Sequence, residues 1–420
     1  MKRIREGLIP VYIILNVLYI FVGSYLFTIK KISYSMFSKV YIILLITNIL
    51  LIISKIIIKK IKKQKLVFNI VDISTILIII FGVISTIFAI KPKVALYGFY
   101  NRYEGIFQIC YYITLMTVCT FTKESKKKYI TYIILITGLV QLVYAVLQVT
   151  DIGNITRIHN EDEIWTTGFT KNPNFFGAYM LMCSLSSIGL YIHEKKLKAK
   201  LIYLLLIFFF TIGILIASAL SCLIGLVICT IYLAIKLFKT KRIKEFIIIV
   251  ITLSLAVVLI NMAGLSTLKK DIQTTQTETK EILKGNIKDT YGTKRVYIWK
   301  HTLKIVPKNI IHGVGIDNYP YAFNGRPLVR KNIYYDKTHN EYLQTLVTGG
   351  IFYLLSYLGL YIIAIKNGIK NKKYYLLPVI GYLIQAFFNI SVIEVAPFFY
   401  INLGLLVNRY GKSERNNTST

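Results

Sequence analysis

The sequence predicts an all-α polytopic membrane protein with about 12 transmembrane helices and a long external loop that contains an amphipathic helix. Two observations predict this class. Hydrophobic residues make up 55% of the 420-residue chain, charged residues make up 17%, and the mean hydropathy is +0.58. The apolar residues also cluster in blocks of about 20 residues, which is the length that an α-helix needs to cross a bilayer.

Twelve apolar blocks are candidate membrane spans. They cover residues 8–29, 37–58, 66–90, 106–121, 129–150, 174–193, 201–218, 221–238, 245–265, 342–365, 374–392 and 395–409. These blocks divide the chain into an N-terminal membrane bundle of about nine spans (1–265), an external loop (266–341) and a C-terminal part (342–420) with about three spans and a cytoplasmic tail. A loop as long as 266–341 is typical of a functional segment.

The charge of the chain is strongly positive, because 51 Lys and Arg residues oppose 19 Asp and Glu residues. A net charge of +32 would suggest a nucleic-acid partner in a soluble protein, but here the basic residues form short clusters between apolar blocks. Examples are KKIKKQK (59–65), KESKKK (123–128) and EKKLKAK (194–200). The positive-inside rule therefore predicts that both termini are cytoplasmic and that 91–105, 151–173 and 266–341 lie outside. Because the basic clusters are explained by topology, nucleic acid is not an expected partner.

Neither a metal nor a cofactor is expected. The five cysteines lie within or at the ends of the spans and form no CxxC pair, so they are predicted to be small core residues without disulfides. The outer loops also contain no Asp-x-Asp pair of the kind that binds a divalent cation.

The external loop contains the predicted amphipathic helix. Val296, Trp299, Leu303 and Val306 recur at helical spacing, which predicts a helix at the membrane interface with Trp299 at headgroup depth. Arg295, at its start, is a candidate to hold a phosphate against the membrane. The alternative is a helix that only covers the bundle.

The stretch HNEY (339–342) stands at the entrance of the tenth predicted span. His339 is a candidate general base at the outer face, because imidazole titrates near neutral pH. Asn340 and Tyr342 offer polar groups at the same depth that suit a sugar hydroxyl. Asn340 is an equally good candidate for the N-cap of the following helix.

The two shorter outer loops carry compatible groups. Arg102 lies among the aromatic residues of KPKVALYGFYNRYEG (91–105), which suit sugar rings but are also common at membrane interfaces. Arg157 and Lys171 add positive charge in the second loop. Asn174 lies at the start of the sixth span, directly after Asn172-Pro173. Asn174 is a candidate substrate contact, and the alternative is that the Asn-Pro pair simply caps the helix.

Four motifs, in the same order, resemble those of the O-antigen ligase and polysaccharide polymerase superfamily. They are GFYNRYEG (98–105), GFTKNPNFFGAYM (168–180), RVYIWKHTLKIVPKNIIHGVGIDNY (295–319) and HNEYLQTLVTGGIF (339–352). Members of this family are membrane glycosyltransferases that use polyprenyl-diphosphate-linked glycans on the outer side of the cytoplasmic membrane. The resemblance covers roughly residues 66–410.

The resemblance implies roles for two residues. His339 corresponds to the essential histidine of the external loop, and Arg295 to an arginine that engages the lipid diphosphate. One departure concerns the turn between the seventh and eighth spans, where the family usually has a Ser-Arg pair and this chain has ASALSC (217–222) without arginine. Either Arg102, Arg157 or Lys171 supplies that charge, or the diphosphate is held differently.

The resulting hypothesis is a metal-independent glycosyltransferase of the cytoplasmic membrane with its active site on the outer face. Its donor is a glycan on a polyprenyl (undecaprenyl) diphosphate, and its acceptor is a glycan, lipid or protein. A cell-surface polysaccharide polymerase is favoured, because no acceptor-specific domain is visible, and a ligase is the alternative. A transporter of lipid-linked oligosaccharide or solute is a rival of another class, although transporters usually place ionisable groups at the midplane of their spans. A scaffold for wall assembly is a third reading.

Overall fold

The computed structural model describes residues 2–61, 63, 69–150, 166–265, 268–330, 333–371 and 373–407. Its helices are α1 (Lys2–Thr28), α2 (Tyr34–Ile61), α3 (Ile70–Ile87), α4 (Pro92–Tyr97), α5 (Ile106–Cys119), α6 (Glu124–Thr150), α7 (Pro173–His193), α8 (Leu197–Ile216), α9 (Leu220–Lys239), α10 (Ile243–Met262), α11 (Leu268–Leu283), α12 (Arg295–Ile305), α13 (Glu341–Gly349), α14 (Ile351–Lys370), α15 (Leu376–Gln385) and α16 (Ala396–Leu406). Two short strands, β1 (Leu328–Arg330) and β2 (Ile333–Tyr335), pair antiparallel with Leu328 opposite Tyr335.

The predicted fold class is confirmed. Within the described ranges, nine helices are long and apolar enough to cross a membrane, namely α1 to α3, α6 to α10 and α14. Three further apolar helices, α5, α15 and α16, are shorter. A helix therefore occupies each of the twelve predicted blocks, and the protein is an all-α polytopic membrane protein.

The helix α7 forms the centre of the bundle. Every residue from Phe175 to Ile192 is buried, as expected for a membrane helix that contacts other helices on all sides. The C-terminal helices pack against helices from the N-terminal part, 1–265: α14 packs on α3, α15 lies against α7 and α9, and α16 packs on α5. The two parts of the sequence therefore form one bundle.

The end of the bundle that carries the external loop is here called the loop face. It includes 386–395, an irregular segment between α15 and α16 that is mostly buried. The 10 residues of α15 rise only about 15 Å, half the thickness of a bilayer core of about 30 Å. Segment 386–395 therefore lies inside the protein rather than on its surface, which is where membrane proteins tolerate non-helical backbone.

The external loop has a small core of its own. Ile298 of α12 packs there with Val306, Tyr319, Leu328 and Tyr335. The predicted apolar stripe of α12 is therefore wrong in part, because Leu303 is 57% exposed whereas Ile298 and Thr302 are buried. The polar segment before α12 contains the exposed helix α11.

The Gly349-Gly350 pair breaks the tenth predicted span into α13 and α14. Gly350 has a φ of +83° and ends α13. The freed backbone groups pair with the external loop, where Val314 N–H donates to Val347 O at 2.9 Å and Ile351 N–H donates to Ile310 O at 2.7 Å. The helix break leaves backbone N–H and C=O groups without helical partners, and the external loop pairs with them. These hydrogen bonds fix the loop onto the bundle.

Substitution of Gly350 tests this junction. A Cβ at Gly350 would lie 2.2 Å from the carbonyl oxygen of Ile311. We expect Gly350→Ala to lower the free energy of unfolding by about 1–2 kcal/mol through its left-handed φ and by about 1–3 kcal/mol more through overlap. The measurement is the thermal unfolding midpoint of the purified protein in detergent.

The matched control is Gly285→Ala. Gly285 has a similar φ of +84°, but within the described part of the chain no atom lies within 4 Å of its Cβ position. Both variants carry the φ strain and only Gly350→Ala carries the overlap. Equal midpoints for the two variants would contradict the proposed junction.

Candidate functional site

Three segments of the loop face meet around one buried ammonium group. The side chain of Lys337 lies 2.6 Å from Asp317 Oδ1 and 3.2 Å from Glu104 Oε2, and all three residues are at most 5% exposed. Burial by itself would lower the pKa of Lys337, but the charges of Asp317 and Glu104 raise it above its ordinary value. Lys337 therefore stays charged and ties the three segments together.

The two carboxylates have further partners. Glu104 Oε1 accepts hydrogen bonds from Tyr112 Oη at 3.0 Å and from Ser391 Oγ at 2.6 Å. Asp317 Oδ2 accepts from the backbone N–H of Phe99 at 2.6 Å. Such a network fixes its members in place, because each buried charge would be costly without its partners.

A second ion pair lies beside the first. Arg102 donates from Nε to Asp336 Oδ2 at 2.6 Å and from Nη2 to Asp336 Oδ1 at 3.1 Å. This fork-to-carboxylate geometry is the strong form of an ion pair. Arg102, a predicted substrate-binding residue, thus joins loop 98–105 to the residues that precede His339.

His339 stands between these ion pairs and α12. Its φ of +52° is uncommon for a residue other than glycine and is held by the contacts of its neighbours. Burial, the positive charge of Arg295 and, to a smaller extent, that of Arg102 lower the pKa of His339 to about 4, against the opposing charge of Asp336. The imidazole is therefore neutral at pH 7 and able to accept a proton.

Arg295 is the first residue of α12. Its Nε donates to Phe388 O at 3.0 Å, and its Nη1 donates to Gly292 O at 3.0 Å and Thr293 Oγ1 at 2.6 Å. Burial lowers the pKa of Arg295 from its ordinary value. Among the residues that the structure describes, no hydrogen-bond partner contacts Nη2, so the guanidinium is oriented while a donor group stays available.

Trp299 fixes the helix α12 against residues 336–340, here called the histidine loop. The indole Nε1–H donates to Thr338 O at 2.9 Å, and the ring meets Phe387 edge to face at 5.7 Å. The indole N–H thus has a protein acceptor next to His339, as a half-buried indole requires. The position of Trp299 at headgroup depth stays a prediction.

Asn340 and Tyr342 have local partners. Asn340 Oδ1 accepts from Leu343 N–H at 2.9 Å, which confirms the N-cap alternative. Tyr342 Oη donates to Leu383 O at 2.6 Å. Both side chains hold the start of α13 in place, and a substrate contact for them stays a prediction.

Residues of the second predicted outer loop, 151–173, and the start of α7 lie next to segment 386–395. Asn389 Nδ2 donates to Asn174 O at 3.3 Å, so the backbone of Asn174 contacts segment 386–395. The ammonium of Lys171 lies 3.4 Å from the centre of the Phe27 ring, and burial lowers the pKa of Lys171. Arg157 lies outside the described residues.

Sequence reasoning assigned no role to several of the groups that build this site. They are Glu104, Asp317, Asp336, Lys337, Glu341 and Ser391. Glu341 accepts a hydrogen bond from Tyr382 Oη at 2.8 Å, and burial raises the pKa of Glu341 to about 8. A signal was present, because acidic residues are rare in this basic chain and all four acidic members of the set fall in the predicted outer loops 91–105 and 266–341.

Replacement of Lys337 tests the network. Lys337→Met would leave Glu104 and Asp317 buried without their cation, and we expect a loss of about 3–5 kcal/mol in the free energy of unfolding. Heating followed by size-exclusion chromatography measures the surviving folded fraction.

The control for this experiment is Lys284→Met. Lys284 pairs with Glu281 at 3.1 Å but is 68% exposed, so its loss costs about 0–1 kcal/mol. A second test adds Glu104→Gln and Asp317→Asn to Lys337→Met, and we expect part of the stability to return because no buried charge is left unpaired. Equal stability of Lys337→Met and Lys284→Met would contradict a structural role for the network.

The comparisons with known proteins agree with the resemblance seen in the sequence. No curated protein matches the chain. Residues 177–358 match the family model described as O-antigen ligase, and this range includes Arg295, Lys337 and His339. The match therefore confirms, over this segment, the resemblance of the chain to the O-antigen ligase and polysaccharide polymerase superfamily.

Proposed function

We propose that the protein is a membrane glycosyltransferase that moves a glycan from a polyprenyl diphosphate to an acceptor hydroxyl, most simply as a cell-surface polysaccharide polymerase. The observation that carries this proposal is the pairing of His339, kept neutral by burial, with the oriented guanidinium of Arg295. Both residues belong to the segment that matches the O-antigen ligase family.

The step that we propose is a displacement at the anomeric carbon of the donor sugar. The acceptor hydroxyl oxygen bonds to that carbon while the bond from the carbon to the diphosphate oxygen breaks. His339 takes the hydroxyl proton, and the polyprenyl diphosphate leaves with the bonding electron pair. The donor is already activated, so the step needs no nucleotide and no ATP.

The departing diphosphate needs positive charge. Arg295 supports this role, because two of its nitrogens are anchored on backbone and hydroxyl oxygens while Nη2 stays available. A second cation would replace the arginine that the family has between its seventh and eighth spans. Arg102 is engaged by Asp336, so Lys171 and Arg157 are the better candidates.

The ammonium of Lys337 supports a metal-independent reaction. It lies between Glu104 and Asp317, the position in which a divalent cation would otherwise bridge two carboxylates. The charge of these carboxylates is thus balanced within the protein.

The structure offers less support to a transporter. Asp72, an ionisable residue within the predicted span 66–90, forms a capping box with Asn69 at the start of α3. Glu394, an ionisable residue between the last two predicted spans, lies close enough to Lys171 to oppose the fall in the pKa of Lys171. The basic clusters support a cytoplasmic membrane location with the loop face outside.

The first test compares lipid-linked glycans and surface polysaccharide in a deletion strain that expresses wild type, His339→Ala or His193→Ala at equal level. We expect His339→Ala to slow transfer by about 10²–10⁴-fold, so that single lipid-linked repeats accumulate and long chains disappear. His193 is an exposed histidine at the end of α7 away from the loop face, and its variant should match wild type.

The same measurement separates the alternatives. Intact lipid-linked chains without an attached product would indicate a ligase. If His339→Ala behaved as wild type while the deletion did not, the proposed base would be wrong.

The pH dependence of transfer tests the environment of His339. A base must be neutral to accept a proton, and a pKa of about 4 keeps His339 neutral at acidic pH. We therefore expect the rate to stay constant from about pH 7 to pH 5 and to fall as pH drops through about 4. The measurement is the initial transfer rate of purified protein in nanodiscs.

The unfolding midpoint at each pH serves as the control for acid denaturation. A fall in rate with a midpoint near pH 6.5, the pKa of an unperturbed imidazole, would contradict a half-buried histidine whose surroundings lower its pKa.

A further inference from the structure

A cavity lies behind the histidine loop. Its volume is about 80 Å³, against about 10–15 Å³ for a single water molecule, so several hydroxyl groups of a ligand fit in it. Glu104, Lys337, Glu341 and Gln344 form its polar wall, and Tyr353 and Tyr357 belong to its aromatic wall. Lys337 and Glu341 are each two residues from His339, so their Cα atoms lie within about 7 Å of the His339 Cα atom.

The charge of this wall excludes phosphate. Glu104 and Asp317 share the single ammonium of Lys337, which leaves the trio with one net negative charge. Glu341 adds a carboxyl group whose pKa burial raises to about 8, so it is mostly protonated at pH 7. An anionic diphosphate is repelled there, whereas hydroxyl groups find both donors and acceptors.

Gln344 provides an independent indication of a ligand. Its Oε1 accepts from Thr338 N–H at 2.9 Å, which fixes the orientation of the amide. Its Nε2 is buried and has no hydrogen-bond partner among the described residues. A buried donor without a partner is costly, and a ligand oxygen in the cavity would satisfy it.

The aromatic wall suits the less polar faces of a sugar ring. Tyr353 and Tyr357 stand edge to face at 5.1 Å, one turn apart on α14. Aromatic surface combined with a few placed hydrogen-bonding groups is the usual composition of a specific small-molecule site.

We propose that this cavity binds a sugar unit of the acceptor glycan through its hydroxyl groups, with Gln344 and Glu341 as its contacts. The acceptor role rests on the proposed transferase function, whereas sugar binding itself does not. The diphosphate of the donor then stays on the Arg295 side of His339 and the acceptor hydroxyl arrives from the cavity side.

Two nearly isosteric variants test the cavity. Gln344→Glu keeps an oxygen for Thr338 N–H and replaces the unpaired donor by an acceptor. Glu341→Gln keeps the shape of the side chain and removes its acidic proton. The probe is the repeat-unit oligosaccharide freed from its lipid, and its binding to the full-length protein in nanodiscs is followed by saturation-transfer NMR.

We expect wild type to bind the free oligosaccharide and each variant to bind it about ten-fold or more weakly. Undecaprenyl diphosphate without glycan is the second probe, and its binding should stay within about two-fold of wild type in both variants. Gln273→Glu, an exposed change on α11, adds the same charge away from the cavity and should leave both affinities unchanged. The unfolding midpoint of each variant confirms that it is folded.

The outcomes separate the two proposals. Wild-type oligosaccharide affinity in both cavity variants, or no oligosaccharide binding by wild type, would overturn the cavity assignment. Loss of undecaprenyl diphosphate binding in the cavity variants would also overturn it, because the cavity would then serve the donor. If the oligosaccharide bound as expected but wild type transferred no glycan, the sugar site would stand and the transferase proposal would fail.

Discussion

The loop face depends on one electrostatic constraint: the ammonium of Lys337 is buried and must be neutralised. Its partners, Glu104 and Asp317, come from two other segments of the chain. In a low-dielectric interior, a charge without a partner raises the free energy of the folded protein strongly, and bringing these segments together avoids that cost. Loop 98–105, the turn before Tyr319 and the histidine loop therefore have to come together, and His339 is positioned as a result.

The broken helices at this face provide the remaining contacts. Because α15 has only 10 residues, about half of what a bilayer crossing needs, and segment 386–395 is mostly buried, this segment lies within the bundle and presents its polar groups there. Phe388 O binds Arg295, Asn389 contacts the backbone of Asn174, and Ser391 binds Glu104. Discontinuous helices of this kind place binding sites inside other membrane proteins.

The positive charge of Arg295 is separate from the cavity. Arg295 helps keep His339 neutral, whereas the carboxyl groups of Glu104 and Glu341 line the cavity and Arg295 does not. In the proposed reaction this division separates an anionic leaving group from a neutral acceptor. It also explains how a base can work close to an arginine. Before the reaction, the guanidinium disfavours the protonated form of His339. During the reaction, the negative charge that develops on the diphosphate offsets this effect as His339 takes the proton.

The sequence by itself determined the membrane class and the positions of all twelve apolar helices. It offered the N-cap as one of two alternatives for Asn340 and, through the family resemblance, the candidate pair of His339 and Arg295. These follow from hydropathy, local periodicity and short motifs, which report on neighbours along the chain. Only the tertiary structure decided the buried face of α12, the break at Gly350, the partners of Lys337 and the cavity beside Glu341. Lys337 and Glu104 are 233 positions apart, and no local pattern encodes which distant carboxylate a buried ammonium will meet.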